Sequence, residues 1–118
     1  VPDGVARVHD RATFEALRRE GRRGRSGSVT VVFLADPHGQ AVRVAYAVGR
    51  RVGSAVVRNR VRRRLRAVMR SVWAEGRLLP GSYLVVAAPT AVGADWDELG
   101  RSVRRAVADA VRSGKGGP

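Results

Sequence analysis

A chain of 118 residues with 44% apolar side chains is long enough for one packed domain and too apolar for a disordered basic tail. Its formal net charge of +13 repels itself in the compact state, so an anionic partner is expected, nucleic acid ahead of a membrane surface. The lack of cysteine excludes disulfides, thiolate zinc sites and a thiol nucleophile, and no apolar run approaches the roughly 20 residues that span a bilayer or forms a signal segment.

The chain opens on Val1 rather than Met, so residues ahead of it are expected. Asp10 to Glu20 reads as a first helix, capped by Asp10, with Phe14 and Leu17 on one face. "GRRGRSG" (21–27) is Gly-rich and basic and reads as a loop. "SVTVVFLA" (28–35) reads as a buried strand and "DPHG" (36–39) as a turn. "VRVAYAV" (42–48) alternates, with Val42, Val44, Tyr46 and Val48 on one face, and the two strands read as a hairpin. Ser54 caps a long helix that runs to about Trp73. "LLPGS" (78–82) is a turn and "YLVVAA" (83–88) a third strand. Asp95 and Glu98 have capping spacing, and Leu99, Val103, Ala106, Val107, Ala110 and Val111 form the seam of a last helix. The predicted order is α-β-β-α-β-α, an α/β two-layer sandwich of helices on a three- or four-stranded sheet. Residues 1–112 read as a single domain and "SGKGGP" (113–118) as a frayed tail.

Little in the chain suggests catalysis by the protein itself. His9 and His38 are isolated, with no third ligand at metal spacing, and no Ser/His/Asp set, phosphate-binding loop or dinucleotide fingerprint is present. Asp95, Asp97 and Glu98 fit a helix N-terminus better than a metal site, because acids there complement the helix dipole.

The long helix carries the charge. "GRRVGSAVVRNRVRRRLRAVMR" (49–70) holds nine arginines, and no carboxylate stands between Asp36 and Glu75. Val57, Val61, Leu65, Val68 and Val72 fall within an arc of about 80°. Arg60, Arg63, Arg64, Arg66 and Arg70 lie on the opposite half, with Arg58 and Arg62 at its flank. Like charges three and four residues apart destabilise a helix, and selection for stability alone would intersperse Glu. The arrangement predicts phosphate contact, hence affinity that falls steeply with salt. A membrane helix would carry Trp, Phe or Leu on its apolar face; this seam is mostly Val and sized for a sheet. Of the 23 basic residues only Lys115 is lysine. Guanidinium grips phosphate bidentately, although the codon bias of a GC-rich genome is the better account of that preference.

"VRVAYAVGRRVGSAVVRNRVRRRLR" (42–66) resembles the signature of the bacterial ribonuclease P protein subunit. The pattern is a strand, two basic residues (Arg50, Arg51), Val52-Gly53, Ala55-Val56, then Arg58-Asn59-Arg60 and the cluster Arg62, Arg63, Arg64, Arg66. "RATFEALRREG" (11–21), "GSYLVVAAPTA" (81–91) and "DWDELGRSVRRAV" (95–107) are similar to the family's first helix, third strand and last helix. The resemblance implies a ribosomal protein S5 domain 2-like fold with a left-handed β-α-β crossover. It implies a function in tRNA 5′ maturation, in which a catalytic RNA hydrolyses precursor tRNA using Mg²⁺ bound mainly by RNA and substrate. The protein's share would be to bind that RNA and the single-stranded 5′ leader, with no catalytic residue of its own. Arg50, Arg51, Arg58, Asn59, Arg60, Arg62, Arg63, Arg64, Arg66 and Arg70 are the RNA-subunit candidates, Asn59 orienting its arginine neighbours. Phe14, Arg18, Phe33 and Tyr46 are the leader-cleft candidates, since unpaired bases stack on aromatics; each aromatic also reads as an ordinary core residue. Arg18 stands where the family often has a second aromatic, which substitutes a cation for a stacking surface. The implied setting is cytoplasmic, with one protein copy per holoenzyme. The competing readings are a ribosomal-type structural RNA-binding protein and a free-standing nuclease.

Overall fold

The computed structural model describes residues 5–8 and 10–113. The strands are β1 (Val5–Arg7), β2 (Arg22–Ser26), β3 (Val29–Ala35), β4 (Val42–Val48) and β5 (Gly81–Ala87). The helices are α1 (Arg11–Glu20), α2 (Ala55–Ala74) and α3 (Trp96–Ser113). Each helix begins where a short polar side chain meets the unpaired amides of a first turn. Asp10 Oδ2 accepts the Thr13 N–H at 2.9 Å, and Ser54 Oγ accepts that of Val57 at 3.4 Å. At α3 the cap is reciprocal: the Glu98 N–H donates to Asp95 Oδ1 at 2.8 Å, and the Asp95 N–H to Glu98 Oε1 at 3.4 Å. Asp95 and Glu98 therefore work as a capping box.

The sheet runs β1-β4-β5-β3-β2. β5 lies between β3 and β4, antiparallel to the first (Val29↔Ala87 to Ala35↔Gly81) and parallel to the second (Val42↔Gly81 to Val48↔Ala87). The hairpin expected over 28–48 therefore does not form. Next-but-one strands are about 10 Å apart, a gap that residues 36–41 step across easily. The central place falls to β5 because its "YLVVAA" run is apolar on both faces, as a strand covered on both sides requires.

The hairpin instead joins β2 to β3, with Arg22↔Phe33 and Ser26↔Val29 in register, and turns at Gly27, whose φ is 56°. Residues 21–27, expected as a loop, thus hold a strand. Its Arg22, Arg23 and Arg25 side chains are exposed along the sheet edge, and its one buried residue is a glycine. Gly24 lies under α3: a Cβ there would stand 2.1 Å from the Ala106 carbonyl oxygen. β1, too short to give a periodic signal, adds a parallel edge to β4. The sheet therefore has two strands more than the three read from apolar runs, while the two-layer α/β architecture is as expected.

Residue alternation splits the sheet into two faces. Val31, Phe33, Tyr83 and Val85 pack beneath the seams of α2 (Val61, Leu65, Val68, Met69, Val72) and α3 (Leu99, Val103, Ala106, Val107, Ala110). α1 lies on the other face against β3 and β5, with Leu17 fully buried. The α3 helix extends to Ser113; the rest of the expected tail, and His9, lie outside the described residues.

Candidate RNA interface

The sequence that leads into α2 sets where its arginines point. Val52 is buried in the 3-10 turn Arg50–Val52 and pins it to the core, leaving Arg50 and Arg51 exposed on either side of the strand-to-helix junction. The next arginine folds back: Arg58 Nε donates to the Gly53 carbonyl at 3.2 Å and closes the first turn. Arg62 Nη1 donates to Asn59 Oδ1 at 2.9 Å. Arg66 lies over the Tyr46 ring, 5.6 Å from its centroid. Arg64 turns away from the outward face, its Nη2 donating to the Ala94 carbonyl at 2.7 Å just ahead of α3.

Arg60 and Arg63 differ from these. Both are exposed, and neither makes a side-chain hydrogen bond or ion pair among the described residues. Arg70 is exposed further along the same helix. Val56, 70% exposed, lies with Asn59, Arg62, Arg63 and Arg66 around a shallow groove on this surface. The acids that neutralise arginine sit elsewhere. Glu75 beyond α2 takes Arg104 at 2.6 Å and Arg77 at 3.3 Å, and the Arg104 hydrogen bond holds its carboxyl below the usual value. Asp109 takes Arg112.

A cavity of about 290 Å³ opens beside β1, where Phe14 of α1, Ala45 and Tyr46 of β4, and Arg62 and Arg66 of α2 converge with Val5 and Arg7. Phe14 and Tyr46 are half-buried and both line the cavity, the Tyr46 ring lying under Arg66. Two cleft candidates are not there. Phe33 is 1% exposed and packs against Tyr83 with ring centroids 4.8 Å apart, so it has no face left for a base. Phe33 and Tyr46 share one sheet face, and strand order separates them: Phe33 on β3 lies under α2 and α3, while Tyr46 on β4 lies beyond the end of the short edge strand β1. Arg18 is exposed in the last turn of α1 and does not line the cavity. Conversely, Arg62 and Arg66, read as grips for the RNA subunit, form the cationic wall of the cavity. Arg7 was missed; the period-two "VAR" that carries it spans only three residues.

Comparison with known proteins decides the family. The family model described as Ribonuclease P matches residues 4–111. The Ribonuclease P protein component of Nocardioides sp. is 43% identical over 103 residues, which cover 84% of this chain and 86% of that protein. That of Kocuria rhizophila is 43% identical over 107 residues, covering 90% and 92%. The chain belongs to the bacterial ribonuclease P protein family. The fold agrees with solved ribonuclease P proteins from Staphylococcus aureus (TM-score 0.75, 19% identity, 86% of this chain and 92% of that one) and Thermotoga maritima (0.70, 20%, 82% and 90%). A ribonuclease P protein is a component of an endoribonuclease holoenzyme and acts in tRNA 5′ maturation, which sets aside the ribosomal-type structural reading. Membership also implies association with the RNA of ribonuclease P, and no helix among the described residues is long and apolar enough to cross a membrane.

Proposed function

We infer that the exposed arginines of α2 dock this chain on the catalytic RNA of ribonuclease P, while the cavity beside β1 receives the single-stranded 5′ leader of precursor tRNA. The observation that carries the reading is the state of Arg60 and Arg63: two cations on one helix face, with no partner among the described residues and no acid between Asp36 and Glu75 to supply one. Arg50 and Arg51 extend that face toward the sheet. Phosphate oxygens satisfy such a surface and relieve the repulsion along the helix. In the cavity, Phe14 and Tyr46 offer stacking surfaces and Arg62 and Arg66 a backbone-neutralising wall, the combination that tracks an unpaired strand.

Mg²⁺ is the metal of the RNA-catalysed step in this reading. Among the described residues no group of three or more His, Asp or Glu side chains is placed to hold an ion. The protein's contribution is binding: it raises the local concentration of leader and RNA phosphates against each other. The chain works as a single domain and as one copy, since the exposed arginines along the β2 edge oppose pairing of two sheets edge to edge. Its setting is the bacterial cytoplasm, where precursor tRNA is made.

The test is 5′ maturation of a precursor tRNA by a bacterial ribonuclease P RNA at limiting Mg²⁺. Wild-type protein rescues cleavage. The Arg60→Ala/Arg63→Ala double variant keeps its fold, loses rescue, and shows a log-affinity against log-salt slope shallower by about 2, one for each phosphate contact removed. An unchanged slope overturns the docking assignment.

A further inference from the structure

A second cationic surface lies around the corner from the first. Between α2 and α3 is a groove of about 380 Å³, lined by Val68 and Ser71 on one side and by Trp96, Gly100, Arg101 and Arg104 on the other. Trp96 is 49% exposed although it opens a helix whose seam is otherwise well buried. Gly100 leaves the floor without a side chain. The groove shares Arg101 and Arg104 with a wider cavity further along α3, where Arg105 stands with Glu98 and Asp109.

The arginines here are unequally compensated. Arg104 and Arg77 share Glu75, and Arg112 has Asp109. Arg101 and Arg105 are exposed, one helical turn apart, and make no side-chain hydrogen bond or ion pair among the described residues. Asp97 also lines the groove, but it stands in the first turn of α3, where the helix dipole offsets its charge. An exposed indole beside uncompensated guanidiniums suits a nucleotide: the base stacks and the phosphate pairs.

The groove lies along the same helix as the R-N-R motif, with Val68 and Ser71 of α2 in its wall. Arg64 bridges the two, rooted on α2 between Arg63 and Arg66 and bonded to Ala94, two residues before Trp96. We propose that the groove between α2 and α3 seats an unpaired nucleotide of the catalytic RNA, its base stacked on Trp96 and its phosphate held by Arg101. The inference rests on the reading that α2 docks on that RNA.

Fluorescence reads it directly, because the chain has two tryptophans and Trp73→Phe leaves Trp96 as the sole reporter. Saturating ribonuclease P RNA, without substrate, should quench Trp96 strongly. Trp96→Ala and Arg101→Ala should each weaken affinity for that RNA by about tenfold, the loss of one stacked base or one paired phosphate, with unchanged thermal midpoints. Tight binding without quenching overturns the proposal and leaves the docking reading standing. Quenching by precursor tRNA alone, or by neither RNA, assigns the groove to another occupant and overturns it too. If the RNA does not bind at all, the docking reading falls, and this inference with it.

Discussion

Two adjacent arginines on α2 have different surroundings. Arg63 is exposed without a partner among the described residues, whereas Arg64 is half-buried and donates to the Ala94 carbonyl. Arg64→Ala should therefore lower folding stability by about 1 kcal/mol, the usual net worth of one such bond, while Arg63→Ala leaves the melting temperature unchanged and weakens RNA binding. Thermal melts of the two variants beside salt-dependent RNA titrations make the comparison. The motif itself was legible in the sequence, since Arg58-Asn59-Arg60 with the preceding Val-Gly and Ala-Val is more specific than an amphipathic helix requires. The destination of each guanidinium was not. Arginines at the flanks of a helix reach whatever neighbour the fold supplies, here the Tyr46 ring for Arg66, the Asn59 amide for Arg62 and a loop carbonyl for Arg64. The aromatics were ambiguous for a similar reason. Both Phe33 and Tyr46 sit in apolar strands, and only strand order decides which is sealed under two helices and which meets the sheet edge.

The strand β2 reads as a loop because it is made of arginine, glycine and serine, yet it holds the edge of the sheet and supports α3. Its signal is positional: a residue without Cβ lies where a helix crosses the strand at contact distance. Gly24→Ala should destabilise the protein by about 1–3 kcal/mol, since the added methyl meets the backbone of α3, which cannot swing aside as a side chain would. Chemical denaturation would register this as a lower midpoint with an unchanged slope; a neutral result would mean that α3 does not lie so close. The helices were easier to read. Their caps Asp10, Ser54 and Asp95 act through side chains within three residues of themselves, so local sequence carries the information whatever the rest of the fold does. Strand order is settled between segments far apart in the chain, and the short turn at 36–39 suggested a local hairpin where a third strand had to enter.

Charge acts on the whole molecule in two opposed directions. At +13 the free protein repels itself, most strongly along α2, where no acid intervenes between Asp36 and Glu75. Added salt screens that repulsion and should raise the thermal midpoint of the free protein. The same salt competes for phosphate and should lower RNA affinity by orders of magnitude between about 50 and 200 mM. Opposite slopes in a melt series and a binding series would tie both effects to one set of arginines; parallel slopes would separate them. The placement of β5 between β3 and β4 also has a consequence in time. Neither older strand can pair with the other, so both wait for a strand that lies beyond α2 in the chain. During synthesis, the arginine-rich helix emerges before the sheet that must carry it has closed. Its apolar seam finds a finished floor only when residue 87 is free of the ribosome, which makes the final threading step non-local and slow relative to formation of the helices.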